Sequence, residues 1–257
     1  MCELLALSFN QPVRLSFSFR GFKKRSEDNP HGWGLGFYPD ESALIFKEPI
    51  KAKISKLASF LEDYEFLKSK TFIAHIRKST RGDISFRNTH PFLRELFGRD
   101  FVFAHNGTIE KFDVLSTGFF TPIGETDSEH IFCHVLDFFY KNGEINWQMA
   151  TFKKLHEELL EINKKGKMNL IFSDGNYLFC YRDNSGYEKG LSYVERKPPW
   201  KGVKLLDEDW MVNSGKDKKE NIYGYIVATK PLTDEDWIGF KSGELKVFKS
   251  GELIYSQ

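Results

Sequence analysis

A cysteine stands directly behind the initiator methionine, at Cys2. A thiol is a strong nucleophile once deprotonated, and it needs a base close by. Removal of Met1 would make Cys2 the N-terminus, and an α-amine titrates near ~7.7–8. Nucleophile and base would then belong to one residue, the amine acting directly or through a water. The initiator is usually trimmed when the second residue is small, as Cys is. The plainer alternative is an apolar residue that leads into a buried strand.

Three further segments carry groups that such a nucleophile would need. His75-Ile76-Arg77-Lys78-Ser79-Thr80-Arg81-Gly82 follows a strand-like run, and an Arg guanidinium offers a planar fork of donors to a carboxylate. The alternative is a basic loop. Phe103-Ala104-His105-Asn106-Gly107-Thr108 runs an apolar strand into Asn-Gly. The Asn amide and a close-approaching Gly N–H would make a two-donor oxyanion hole, although Asn-Gly is also a common tight turn. Gly124-Glu125-Thr126-Asp127-Ser128-Glu129 feeds a helix. Capping explains its Asp and Ser, but a carboxylate turned into a cleft would hold an ammonium group.

Other motifs are weaker. His130 and His134 stand at i, i+4 on a predicted helix, the spacing of a metal pair, but the Glu of the His-Glu-x-x-His pattern is absent, and no metal or cofactor is expected. Gly32-Trp33-Gly34-Leu35-Gly36 lacks the Lys-Ser/Thr ending of a phosphate loop and reads as a glycine-rich strand. Arg20, Lys23, Lys24 and Arg25 read as a solvated loop rather than a nucleic-acid site, and Cys133 and Cys180 as small buried hydrophobes.

Taken together, the thiol, the Arg fork, the Asn-Gly pair and the acid are what an amide bearing an α-amino acid head group requires. Cys2, His75–Thr80, Asn88-Thr89-His90-Pro91, His105-Asn106-Gly107 and Glu125–Glu129 resemble, in order and spacing, the motifs of class II glutamine amidotransferases, which are N-terminal-nucleophile hydrolases. Ala228-Thr229-Lys230-Pro231-Leu232-Thr233 and Gly243-Glu244-Leu245 resemble the stand-alone, YafJ-like branch. The resemblance implies that Cys2 attacks the glutamine side-chain carbonyl to give a γ-glutamyl thioester, its amine relaying the proton to the leaving ammonia. It implies that the Asn106 side chain and the Gly107 N–H stabilise the oxyanion, that Arg77 holds the α-carboxylate and Asp127 the α-ammonium, and that Thr80 and His90 lie in the pocket wall. It also implies a four-layer α/β/β/α sandwich of two antiparallel sheets, an α+β fold, over a single domain at residues 2–257.

One departure concerns the pocket's closure. Sugar-aminating relatives commonly carry Arg-Trp-Ala-Thr-His where this chain has Arg77-Lys78-Ser79-Thr80-Arg81, so the aromatic gate is missing. The resemblance includes no sugar-isomerase, phosphoribosyltransferase or synthetase domain to receive ammonia. The favoured expectation is a glutaminase-type hydrolase acting on glutamine or a γ-glutamyl compound. The alternative is a non-catalytic or partner-dependent subunit that supplies ammonia to an accepting protein within a complex. The oligomeric state is left open.

Elements able to position these groups are legible in the pattern. Leu4–Phe9, Thr71–Ile76 and Phe101–Ala104 read as buried strands, and Gly32–Tyr38 with Ala43–Phe46 as a hairpin. Lys53–Lys68, Asp127–Tyr140 and Trp147–Lys165 have helical spacing, the second capped by Thr126 or Asp127 and the last ended by Gly166. Leu170–Phe172, Tyr177–Tyr181, Tyr223–Thr229, Leu245–Phe248 and Leu253–Tyr255 read as short strands, and Arg20–Asn29 and Lys216–Asn221 as surface loops. Strands, two consecutive helices, then strands is not the alternation of a doubly wound sheet.

The bulk numbers set limits. The 257 residues include 25 Phe, and aromatics make up 16%, ample for a large core and too much for disorder. With 37 basic and 36 acidic side chains the net charge is +1, which argues against a chain-wide nucleic-acid surface and fits a small zwitterionic substrate. Three cysteines cannot build a disulfide framework, no apolar run is long enough for a membrane span, and the N-terminus lacks the basic region of a signal peptide. A soluble cytoplasmic protein is the expectation.

Overall fold

The structure, a computed structural model, describes residues 2–143, 145–199, 202–207, 211–212 and 221–257. Met1 and Lys216–Glu220, part of an expected surface loop, lie outside the described residues.

The chain opens with β1 (Glu3–Arg14), α1 (Ser16–Lys24), the hairpin β2 (Trp33–Phe37) and β3 (Leu44–Glu48), α2 (Lys56–Asp63) and β4 (Lys68–Ile76). Then come β5 (Phe92–Leu96), β6 (Arg99–Ile109) and the consecutive helices α3 (Asp127–Lys141) and α4 (Met149–Asn163). The second half adds β7 (Gly166–Ser173), β8 (Tyr177–Tyr181), β9 (Ser192–Arg196), a short ribbon β10 (Val203–Lys204) and β11 (Met211–Val212), β12 (Gly224–Ala228), β13 (Ile238–Gly239), β14 (Leu245–Lys249) and β15 (Glu252–Ser256).

Two antiparallel sheets result, in the orders β13-β9-β12-β1-β4-β2-β3 and β15-β14-β8-β7-β6-β5. Their facing sides are closed by Leu4, Ala6 and Ile73 from the first sheet against Val102, Ala104 and Ile171 from the second. The outer side of the first sheet buries Leu5, Leu7 and Phe72 under Phe19 and Phe22 of α1 and Leu61 of α2. The outer side of the second buries Phe103, Phe172 and Phe179 under Ile131, Phe132 and Val135 of α3 and Leu155 and Leu159 of α4. The expected α/β/β/α layering is therefore present. It follows from strand alternation: odd positions of β1 meet helices and even positions meet the other sheet.

The expected hairpin and the strand cores are present, several of them longer than expected. Thr126 caps α3, its hydroxyl accepting the Glu129 N–H at 3.2 Å. The Arg20–Asn29 stretch is a correction. It is not a solvated loop but the end of α1, a 3-10 turn at Arg25–Glu27 and a buried Asn29. Phe19 and Phe22 anchor the helix, and Arg25 spends its guanidinium on Asp207 at 3.0 Å, Lys230 O at 2.8 Å and Pro231 O at 2.5 Å. The helix expected over Lys53–Lys68 is shortened, because the chain turns at Tyr64 to reach β4, whose Lys68 pairs with Arg14 of β1. No described helix is long and apolar enough to cross a membrane.

Candidate active site

Alternation along two strands aims the key side chains. Leu4 and Ala6 of β1 face the gap between the sheets, so Cys2, two residues earlier, points to its open end. Val102 and Ala104 of β6 face the same gap from the other sheet, and Asn106 continues that series. Nucleophile and amide thus come from different sheets and meet at the sandwich mouth. Cys2, Thr80, Asn106, Gly107 and Tyr187 line one cavity of about 700 Å³ there.

Glu3 of β1 pairs with Ile76 of β4, which brings Cys2 beside the segment after β4. The Lys78 N–H donates to Cys2 Sγ at 3.2 Å, and the thiol donates to Lys78 O at 3.3 Å. Burial pushes the Cys2 thiol above its usual range, while the Lys78 N–H and the nearby Arg77 charge pull against it. The net rise leaves a thiol that needs a base.

Asn106 is buried and its amide is fixed at one end only. Tyr187 O–H donates to Asn106 Oδ1 at 3.2 Å, while Asn106 Nδ2 is a buried donor with no partner among the described residues. An orphaned amide donor in a cavity wall is a costly arrangement unless a ligand atom answers it. Gly107 is required by close packing, since a Cβ there would stand 1.9 Å from Lys167 O.

Arg77 is buried and wrapped by its own loop. Nη1 donates to Asp83 O at 3.0 Å, and Nη2 reaches Ser79 Oγ at 3.2 Å, Arg81 O at 2.9 Å and Gly82 O at 3.2 Å. The guanidinium therefore also shapes the loop that follows the nucleophile's neighbour. Asp127, first residue of α3, accepts the Ile109 N–H on Oδ2 at 2.7 Å. Thr80 is exposed at the rim, its hydroxyl 3.5 Å from that of Thr108. Glu125 ties the two loops through Arg87 and through Asn88 Nδ2 at 3.2 Å.

His90 is packed among rings, its centroid 4.2 Å from that of His75 and 4.5 Å from that of Phe92, and neither of its nitrogens has a partner among the described residues. Burial holds His90 well below the ordinary imidazole range, takes His75 down to about 3 and lowers His105. These are neutral rings. His105 Nε2 faces Lys167 O at 3.2 Å and so carries the hydrogen, leaving Nδ1 to accept from Ser128 Oγ at 2.9 Å. The structure thus brings Cys2, Thr80, Asn106 and Gly107 to one cavity wall, whereas Arg77, His90 and Asp127 are not among the residues that line it.

Two groups escaped the motif reading. Tyr187 is one. The other is a clamp on Glu3, whose carboxylate is held by Lys189 Nζ at 2.6 Å, Arg25 Nη1 at 3.6 Å and the Thr229 hydroxyl. Thr229 also receives the Leu4 N–H at 3.2 Å, so the Ala228–Thr233 segment pins the strand that carries Cys2. The loop bearing Tyr187 and Lys189 is itself tied to Asp183, which accepts from Tyr187 N at 3.1 Å, Ser185 N at 2.7 Å and Met168 N at 2.7 Å. No short-range spacing signals these contacts, which cross the chain. His130 and His134, read above as a weak metal pair, instead bind the turn before α3, at Leu115 O (2.8 Å) and Ser116 O (2.6 Å).

Comparison with known proteins agrees with this geometry. Residues 1–257 match the family model described as glutamine amidotransferases class-II. The chain is 47% identical over 256 residues to protein MJ1515 of Methanocaldococcus jannaschii, covering 100% of this chain and 71% of that one. It is 38% identical over 261 residues to Escherichia coli YafJ, covering 99% and 100%. A solved Pseudomonas aeruginosa structure, described as a predicted glutamine amidotransferase, superposes with a TM-score of 0.73 at 29% identity over 99% of this chain and 100% of that one. Bacillus subtilis glutamine phosphoribosylpyrophosphate amidotransferase, at 14% identity and a TM-score of 0.65 over 100% of this chain and 49% of that one, shares the fold. With motifs, layering and family model in agreement, the chain belongs to the class II glutamine amidotransferases, a family of enzymes.

Proposed function

We propose that the chain hydrolyses the side-chain amide of glutamine or of a γ-glutamyl compound through a Cys2 thioester. The observation that carries this reading is the unpartnered Asn106 Nδ2, buried in the wall of the cavity that also holds Cys2.

In this reading Met1 is first removed. The freed α-amine takes the thiol proton, directly or through a water, which answers the raised pKa of this half-buried thiol. Sγ attacks the amide carbon, a C–S bond forms, and the carbonyl electron pair moves onto oxygen. Asn106 Nδ2 and the Gly107 N–H donate to that oxyanion. Collapse breaks the C–N bond, and the leaving ammonia or amine takes the proton held by the α-ammonium. Water then adds to the thioester carbonyl and expels the thiol, giving glutamate. The glutamyl head group sits against Arg77, whose Nε–H and second Nη1–H are not taken by its own loop, and against Asp127, whose Oδ1 has no protein donor among the described residues. Thr80 completes the wall, and His90 packs against His75 and Phe92 away from it.

The test is ammonia release from glutamine by protein whose intact mass shows that Met1 is gone, beside Cys2→Ala. Release by the first and none by the second is expected. Release that survives Cys2→Ala overturns the mechanism, and turnover only on adding an ammonia-accepting protein would make the chain a partner-dependent subunit.

A further inference from the structure

Five lysines, Lys78, Lys111, Lys164, Lys165 and Lys167, line the cavity that holds Cys2, and Glu110 is the one acidic side chain among the described residues that line it. In a chain of net charge +1 this is a concentrated excess. The ammonium groups of Lys78 and Lys111 have no partner among the described residues. Lys165 donates to a carbonyl, Glu161 O at 3.4 Å, with the Glu158 carboxylate within reach of its charge, and the Lys164 partner, Glu161, is 60% exposed. Lys167 Nζ stands 5.5 Å over the ring of Tyr187, the residue that fixes Asn106. A concave wall of one sign focuses potential into the cavity.

Room is also in excess. At about 700 Å³ the cavity lies in the ~300–1,000 Å³ range of sites that enclose drug-sized ligands, more than a lone amino acid fills. With the head group assigned to Arg77 and Asp127, neither of which lines this cavity, the lysines are left to face whatever lies beyond the scissile bond.

We propose that the substrate is a γ-glutamyl amide whose amine portion itself carries negative charge, carboxylate or phosphate, and that the lysine-lined part of the cavity is the subsite for that portion. This rests on the reading of Cys2 as the nucleophile. An acidic protein face would meet the same charge, but the lysines line a cavity rather than a convex surface, which favours a small molecule.

Two measurements test it. The first compares kcat/KM for γ-glutamylglycine and γ-glutamylglycinamide, which differ in one carboxylate, in the wild type and in the double variant Lys111→Gln/Lys165→Gln. The second compares alkylation of Cys2 by iodoacetate and by iodoacetamide, read by peptide mass and normalised to free cysteine. The acid is expected to be favoured roughly tenfold or more at low ionic strength, the preference shrinking with salt and largely lost in the double variant; the iodoacetate ratio should move in parallel. Equal turnover of the two dipeptides, or a preference untouched by the double substitution, overturns the subsite while leaving Cys2 as the nucleophile. A raised iodoacetate ratio with equal turnover also overturns it and assigns the lysines to an acidic macromolecule. Absence of any γ-glutamyl or glutamine hydrolysis overturns the nucleophile reading, and the subsite with it.

Discussion

Tyr187 donates its hydroxyl hydrogen to Asn106 Oδ1 across the sandwich mouth, at 3.2 Å. An amide presents an acceptor at one end and two donors at the other, and here it is the acceptor end that takes the Tyr187 hydrogen. With Oδ1 held by a donor, Nδ2 is the end left buried without a partner, the orientation that an oxyanion needs.

Loss of the amide and loss of its fixing bond should therefore differ in size but not in kind. Asn106→Ala is expected to lower kcat for glutamine hydrolysis ~10²–10³-fold, the usual cost of one oxyanion donor. Tyr187→Phe keeps the ring under Lys167 and removes only the hydroxyl; we expect roughly a tenfold loss in kcat with KM little changed. In the double variant the Tyr187 effect should vanish, because there is no amide left to orient. Additive losses in that cycle would show that Tyr187 acts by some other route.

Glu3 sets the position of its neighbour Cys2 through partners distant in sequence, Lys189 at 2.6 Å and Arg25 at 3.6 Å. Glu3→Gln keeps the shape and removes the charge. Breaking a buried ion pair costs ~3–5 kcal/mol, but Arg25 keeps Asp207 and two carbonyls and Lys189 can turn to water. A loss of about 2–3 kcal/mol is left, seen as a Tm lower by roughly 5–10 °C. Thermal unfolding measures it, and an unchanged Tm would mean that the clamp contributes nothing net.

How far the sequence discloses this site depends on the range of each interaction. Cys2 and Asp127 sit at the start of a strand and a helix, and Asn106-Gly107 follows an apolar run within β6, so they are readable as motifs. The two-sheet layering comes from the family resemblance, and the two consecutive helices between strand-like runs are compatible with it. Tyr187 is not readable, since its meaning comes from Asn106, 81 positions earlier. The end of α1 was misread for the same reason: Arg25 and Asn29 look like solvated residues until Asp207, Lys230 and Pro231 fold over them. His90 is visible in its motif, but its burial between His75 and Phe92 is a property of packing alone.

Those buried imidazoles give stability a sign with pH. An unfolded histidine binds a proton near pH 6.5, whereas burial keeps His75 neutral down to about 3, holds His90 well below the ordinary range and lowers His105. Below pH 6.5 the unfolded chain then binds more protons than the native one, so stability falls as pH falls, by ~1.4 kcal/mol per pH unit for each ring so affected. Urea unfolding at pH 7.5, 6.0 and 5.0, where most carboxylates stay ionised, should give a slope of about two to three protons below pH 6. The slope should be shallower by about one in His90→Phe. A flat profile between pH 7.5 and 5.0 would mean that these rings take up protons in the native state.

Gly107 offers a test of the backbone beside the oxyanion. A Cβ there would lie 1.9 Å from Lys167 O and 2.7 Å from His105 Nε2, and the carbonyl belongs to the paired strand β7 and cannot swing away as a side chain does. Gly107→Ala must part β6 from β7 at the point where they deliver Asn106 and Lys167 to the cavity. Overpacking costs ~1–3 kcal/mol, small enough for the fold to survive, while the shift displaces both proposed oxyanion donors at once. The expected result is a folded protein with a Tm lowered by several degrees and kcat reduced at least as far as in Asn106→Ala. The covalent γ-glutamyl thioester trapped from glutamine should fall in step. Full activity in a folded Gly107→Ala protein would show that neither the Gly107 N–H nor the register of these two strands sets the rate.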